Sequence, residues 1–122
     1  MAEYLTTKGI ISSLEDIIKF AKKEVVIVSP FLKIPKTMRE RIISATHRGV
    51  SVTIVYGKNR FIEPETISDL RNKVTLLFYE KLHGKCYYNE SKMLITSMNL
   101  YEVSEKNREF GILLDKEYES NI

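Results

Sequence analysis

The chain contains a single cysteine, Cys86. An intrachain disulfide is therefore impossible, the Cys-rich spacing of a dedicated zinc site is missing, and burial rather than reactivity is the role expected of this thiol. Long hydrophobic runs are lacking too. Charges such as Lys22, Lys23 and Glu24 interrupt the apolar stretches, and no run reaches the ~18 residues that a membrane-spanning helix needs, so integral membrane association is not expected. Residues 1–7 lack the basic segment followed by an apolar core that marks a secretory signal, which makes a cytoplasmic protein the expectation. No low-complexity tract, internal repeat or linker is visible. Nor is there a cluster of acidic residues and histidines of the kind that holds two metal ions, or an amphipathic helix with a strongly basic face suited to lipid. What remains is 122 residues with 43% hydrophobic content, enough for the core of one domain over residues 1–122 and not for two. The net charge of +3 and the pI of about 8.9 permit an anionic partner such as nucleic acid without requiring one.

Ile10, Ile11, Leu14, Ile17, Ile18 and Ala21 recur at helical spacing, which predicts an amphipathic helix over residues 8–22, with basic residues at its C-terminal end. The β-branched run 25–28, closed by Ser29 and Pro30, predicts a buried strand. Pro35 suits a first helical turn, Met38, Ile42 and Ile43 supply an apolar face, and Gly49 stands where the second helix should stop. A strand at 52–56, a polar connection through Gly57, Lys58, Asn59 and Arg60, a short helix opening at Pro64 and a strand at 74–78 follow. Alternation of this kind implies parallel strands joined by crossover helices. From His83 onward the pattern changes to a strand, a turn at Asn89 and Glu90, a strand at 93–96 and a last strand at 109–114. The expected class is α/β, with a mixed sheet flanked by helices, parallel in its first half and antiparallel in its C-terminal strands.

His83 and Lys85 are two residues apart in a predicted strand, so their side chains should leave one face about 7 Å apart. Ser97 and Asn99 repeat that spacing at the end of the next strand, and a hairpin would bring the two pairs together. Glu109 opens the strand after that. An imidazole can attack phosphorus, a lysine can neutralise non-bridging oxygens, and a hydroxyl and an amide can donate to them. A carboxylate can orient the imidazole and stabilise its charged form. Taken singly, each of these residues reads more simply as an ordinary surface or turn residue. Their joint order and spacing carry the signal.

Read together, His83-Gly84-Lys85, Asn89, Thr96-Ser97-Met98-Asn99 and Glu109-Phe110-Gly111 resemble the phospholipase D superfamily. Its motif is His-x-Lys, an Asp several residues on, Gly-Ser-x-Asn, then a downstream Glu. The resemblance implies a mixed sheet flanked by helices and an active site made from two copies of the motif. This chain holds one copy, so the resemblance also implies a homodimer with both His83 residues at one phosphate. One His83 would become phosphohistidine while the other protonates the leaving oxygen. Lys85 and Asn99 would hold the phosphate, Ser97 would assist, and Glu109 would hydrogen-bond His83, from either chain. No cofactor or metal belongs to that mechanism. The implied activity is a metal-independent phosphodiesterase or nuclease acting on DNA or RNA. The alternative is an inert module that binds nucleic acid or a protein partner.

Two positions depart from the pattern. The Asp position falls on Asn89, or on Glu90 if the shorter hairpin is aligned differently, and Thr96 replaces the Gly, where a side chain would narrow the approach to phosphate. Three other features have simpler explanations or a subsidiary role. His47 suits the C-terminal dipole of the second helix, at least one of Tyr87 and Tyr88 must enter the core, and Lys58 and Arg60 are candidate contacts for substrate phosphates.

Overall fold

A computed structural model describes residues 2–31, 33–57, 64–99 and 109–115. The elements in chain order are β1 (Glu3–Thr6), α1 (Thr7–Lys19), β2 (Glu24–Val28), α2 (Lys36–His47) and β3 (Ser51–Tyr56). They continue with α3 (Pro64–Leu70), β4 (Thr75–Phe78), β5 (Cys86–Asn89), β6 (Lys92–Thr96) and β7 (Phe110–Asp115). The strands form one sheet in the order β1-β7-β6-β5-β2-β3-β4. β2, β3 and β4 run parallel, and β5, β6, β7 and β1 pair antiparallel, so the mixed sheet is as the sequence predicts.

Helix α1 buries Ile10, Leu14, Ile17 and Ile18, one stripe at the helical period, against β5, β6 and β7. Each such side chain contributes roughly 1.5–3 kcal/mol when fully withdrawn from water. The helix stops at Lys19, earlier than its apolar pattern suggests, because two distant side chains take over the backbone beyond it. The Arg48 guanidinium donates to the carbonyls of Ile18, Lys19 and Ala21. The Glu90 carboxylate accepts the N–H groups of Lys22, Lys23 and Glu24 at 2.9, 3.0 and 3.2 Å. At the end of α2, where His47 occupies the last turn, Gly49 at φ 86° closes a Schellman turn. In that turn the Val50 N–H reaches the Ala45 carbonyl and the Gly49 N–H reaches that of Thr46.

The core is one cluster in which Met38, Ile42 and Ala45 of α2 and Leu70 of α3 join the α1 stripe over Val25, Ile27, Val52, Ile54, Tyr87 and Leu94 of the sheet. All three helices therefore lie on one face. Tyr87 is fully buried there and donates its hydroxyl to the Met98 carbonyl at 2.8 Å, while Tyr88 lies half-buried on the other face. Strand β1 had no counterpart in the sequence reading. It has four residues and one buried side chain, Leu5, and its pairing with β7 is what makes it a strand. Among the described residues no helix is long and apolar enough to cross a membrane.

Candidate active site

Strand direction gathers the candidate residues at one edge of the sheet. Cys86 opens β5 opposite Val28 at the end of β2 and Ile95 near the end of β6, and Thr96 lies opposite Gly111 near the start of β7. The chain just before β5, just after β6 and just before β7 thus meets at one end. These three segments hold His83 and Lys85, Ser97 and Asn99, and Glu109.

His83 and Lys85 are not in a strand, contrary to the sequence reading. Residues 82–85 run extended ahead of β5 without a ladder partner. The neighbour that would supply one leaves the pairing, because Ser29 turns its N–H to the Val55 carbonyl and Pro30, which has no N–H, follows. The direction of this segment is set instead by a tight turn. The Leu82 N–H bonds the Tyr79 carbonyl at 3.2 Å, Lys81 adopts φ 65°, and the turn rests on Gly57. A Cβ at Gly57 would lie 2.6 Å from both the Tyr79 oxygen and the Leu82 Cβ, so only glycine permits this approach. His83 is exposed, and its imidazole has no hydrogen-bond partner among the described residues. Its carbonyl accepts a long hydrogen bond, 3.4 Å, from the Lys85 ammonium.

The other side of the edge is more tightly connected. The Ser97 hydroxyl donates to the Glu109 carboxylate and accepts the Phe110 N–H at 3.4 Å. The Glu109 N–H in turn donates to the Thr7 hydroxyl at 2.7 Å. Asn99 is buried at the same end. Thr7, the first residue of α1, was missed from sequence, although Thr6 and Thr7 ahead of an apolar helical stripe are a helix-start signal. Gly57 was read only as part of a polar loop. Within one chain, Glu109 engages Ser97 and not His83: β7 is two strands from β5, about 10 Å at the usual strand spacing. Lys58 and Arg60 lie outside the described residues.

Both departures from the family pattern have local explanations. Asn89 closes β5 at the opposite end from His83, about 20 Å along an extended chain. Its amide nitrogen donates to the Ile17 carbonyl at 2.9 Å, and its oxygen accepts the N–H groups of Ser91 and Lys92 at 2.7 and 2.8 Å, so it ties the hairpin turn to α1. Thr96 is buried, not exposed at the edge. Its hydroxyl donates to the Phe110 carbonyl at 2.8 Å and accepts the Met98 N–H at 3.1 Å. The space for it comes from Gly111 on the paired strand, where a Cβ would stand 3.1 Å from the Thr96 Cβ.

A depression of about 510 Å³ lies at the far edge, lined by residues that include Glu24, Ser51, Asn89 and Glu90, and contains none of the candidate set. Burial there works against the charged form of Glu90, but the three backbone N–H groups outweigh it and hold the carboxyl at about 2, against an ordinary 4.5. Burial pushes the Cys86 thiol up. Among the described residues no group of three or more His, Cys, Asp or Glu side chains is assembled for a metal ion.

A seven-stranded mixed sheet with helices packed on it, carrying His-x-Lys and Ser-x-Asn segments at one edge, is the architecture of a phospholipase D-like domain. The chain belongs to that family: residues 14–121 match the family described as cardiolipin synthase, PLD-like domain. Among curated proteins no sequence matches it. Its fold is similar to that of Nuc from Salmonella typhimurium, a phospholipase D family member, at 17% identity and a TM-score of 0.77 over 99% of this chain and 88% of that one. It is also similar to NucT from Helicobacter pylori, at 17% identity and a TM-score of 0.78 over 99% and 93%. TrmBL2, an archaeal chromatin protein with a novel mode of DNA binding, aligns at 17% identity and a TM-score of 0.70 over 98% of this chain and 47% of its own. At these identities the likeness is one of fold.

Proposed function

We propose that this chain is a phosphodiesterase of the phospholipase D type that cleaves DNA or RNA at a site shared by two copies. The observation that carries the reading is the meeting of His83, Lys85, Ser97, Asn99 and Glu109, from three separate segments, at one sheet edge. An exposed imidazole with no hydrogen-bond partner among the described residues is available as a nucleophile, and the neighbouring Lys85 ammonium can neutralise a phosphate oxygen.

In the first step an imidazole nitrogen of one His83 forms a bond to phosphorus and the bond to the leaving oxygen breaks. The His83 of the second copy gives its proton to that oxygen. In the second step water attacks phosphorus, the P–N bond breaks, and the second His83 takes the proton from water, which restores both groups. Lys85 and Asn99 hold the non-bridging oxygens throughout. Ser97 positions Glu109 through its hydroxyl, and the second Glu109 oxygen, which makes no hydrogen bond among the described residues, is available to accept an imidazole N–H across the two-fold axis.

The test is cleavage of labelled single- and double-stranded DNA and RNA in EDTA, by wild type and His83→Ala at equal concentration. Cleavage by the wild type alone supports the reading. Failure of both proteins to cleave, with DNA or RNA still bound, replaces it with a binding module, a role that the likeness to the chromatin protein TrmBL2 favours.

A further inference from the structure

The sheet has one face packed under α1, α2 and α3, and a second that no described element covers. Register shows what that second face contains. Tyr4 pairs with Ile112 and Ile112 with Ile95; Ile95 pairs with Cys86 and Cys86 with Val28; Val28 pairs with Val55 and Val55 with Leu77. Paired residues on neighbouring strands point to one side, so these side chains form an uncharged row from one edge of the sheet to the other. Tyr4 is 70% exposed, Ile95 47%, Ile112 43% and Leu77 41%, and Phe110, two residues before Ile112, is 59% exposed. The next row, Leu114, Met93, Tyr88, Val26, Thr53 and Thr75, carries no charge either.

Sheets with parallel strands are ordinarily covered on both faces, and a contiguous apolar patch of this size marks an interface. We infer that this face is where a second copy of the chain docks, sheet against sheet, about a two-fold axis running along β5. The absence of charge argues against a phosphate-bearing occupant. Seven strands at about 4.8 Å and strands of about 15 Å give a projected area of roughly 450 Å². With protruding side chains the accessible area comes to the order of the 800 Å² per partner that stable interfaces bury.

The symmetry fits as well. β5 is the fourth of seven strands, so rotation about it lays β6 over the partner's β2, β7 over β3 and β1 over β4. Apolar residues then meet apolar residues: Ile95 faces the partner's Val28, Ile112 its Val55, Tyr4 its Leu77, and the two Cys86 residues face each other. An axis parallel to the strands leaves both His83 segments at the same end. With packed sheets about 10 Å apart, two imidazoles reach one phosphate between them. The inference rests on the shared-site reading above and names the surface that builds that site.

The test is sedimentation equilibrium of wild type, Ile112→Glu and Phe20→Glu, with the alkylation rate of Cys86 measured on the same samples. Phe20, exposed at the end of α1 away from this face, is the control. The expected result is a dimer for wild type and Phe20→Glu, with the thiol protected, and a folded monomer for Ile112→Glu with the thiol reactive. The dissociation constant should rise by about 100-fold or more, since a two-fold interface carries the change twice. Native-like circular dichroism establishes that Ile112→Glu has folded. A dimer that persists in Ile112→Glu, with Cys86 alkylated as fast as in unfolded chain, overturns this surface and leaves the shared site standing. A wild type that is monomeric at micromolar concentration overturns both.

Discussion

Gly57 carries the tightest backbone approach next to the candidate nucleophile, and Gly57→Ala is the substitution with the most to reveal. The added Cβ would lie 2.6 Å from the Tyr79 carbonyl oxygen and 2.6 Å from the Leu82 Cβ, about 1 Å inside ordinary contact. Neither neighbour is the free end of a flexible side chain. The turn 79–82 must therefore move by about 1 Å, or the hydrogen bonds from Gly57 to Pro30 and from Tyr79 to Tyr56 must stretch. Overpacking of this sort costs about 1–3 kcal/mol, which lowers the melting temperature by roughly 3–15 °C for a chain of this size. His83 follows the turn directly, and a 1 Å misplacement of a reacting group costs on the order of 100-fold in rate. The assays are thermal unfolding by circular dichroism and kcat/KM on a labelled oligonucleotide. Gly57→Ala with wild-type melting and wild-type turnover would refute the argument that this turn aims His83.

The remaining predictions concern the far end of the sheet. Glu90 has a carboxyl lowered from 4.5 to about 2, so its contribution to stability is complete above pH 4.5 and is lost as pH falls through about 2. Between pH 5 and 2 the melting temperature of wild type should therefore fall further than that of Glu90→Gln, and equal slopes would show that the three backbone contacts contribute nothing. Asn89→Asp restores the acidic residue of the family pattern but turns a carboxylate oxygen toward the Ile17 carbonyl, where an amide now donates. It should cost about 1–3 kcal/mol in denaturant unfolding and leave cleavage by the folded protein unchanged. A stabilised Asn89→Asp, or one altered in kcat, would contradict the structural role assigned to Asn89.

The parallel half of the fold was legible because its cues are local. β-branched runs such as 25–28 read as buried strands, and the apolar stripe of α1 and the glycine after α2 mark helices without reference to the rest of the chain. Elements defined by distant partners were not legible. β1 exists through β7, more than a hundred residues away, and α1 ends where Arg48 and Glu90 take up its backbone groups. The candidate site divides the same way. His83, Lys85, Ser97, Asn99 and Glu109 stand out by order and spacing, yet the expected strand at His83 is an extended run, since β2 turns away at Ser29. Thr7 and Gly57 joined the site only once the sheet brought them there.

The sequence by itself determined the residue types and their order, hence the family, the alternation of helices and strands, and the set of groups able to handle a phosphate. Tertiary structure decided how those groups are held. It paired Glu109 with Ser97, placed the Asn89 and Thr96 substitutions in buried structural bonds, and left one apolar face of the sheet uncovered. The reason is that periodicity and motif spacing act over a few residues, whereas hydrogen-bond partners and exposed faces are set by strand order and register, which depend on contacts across the whole chain.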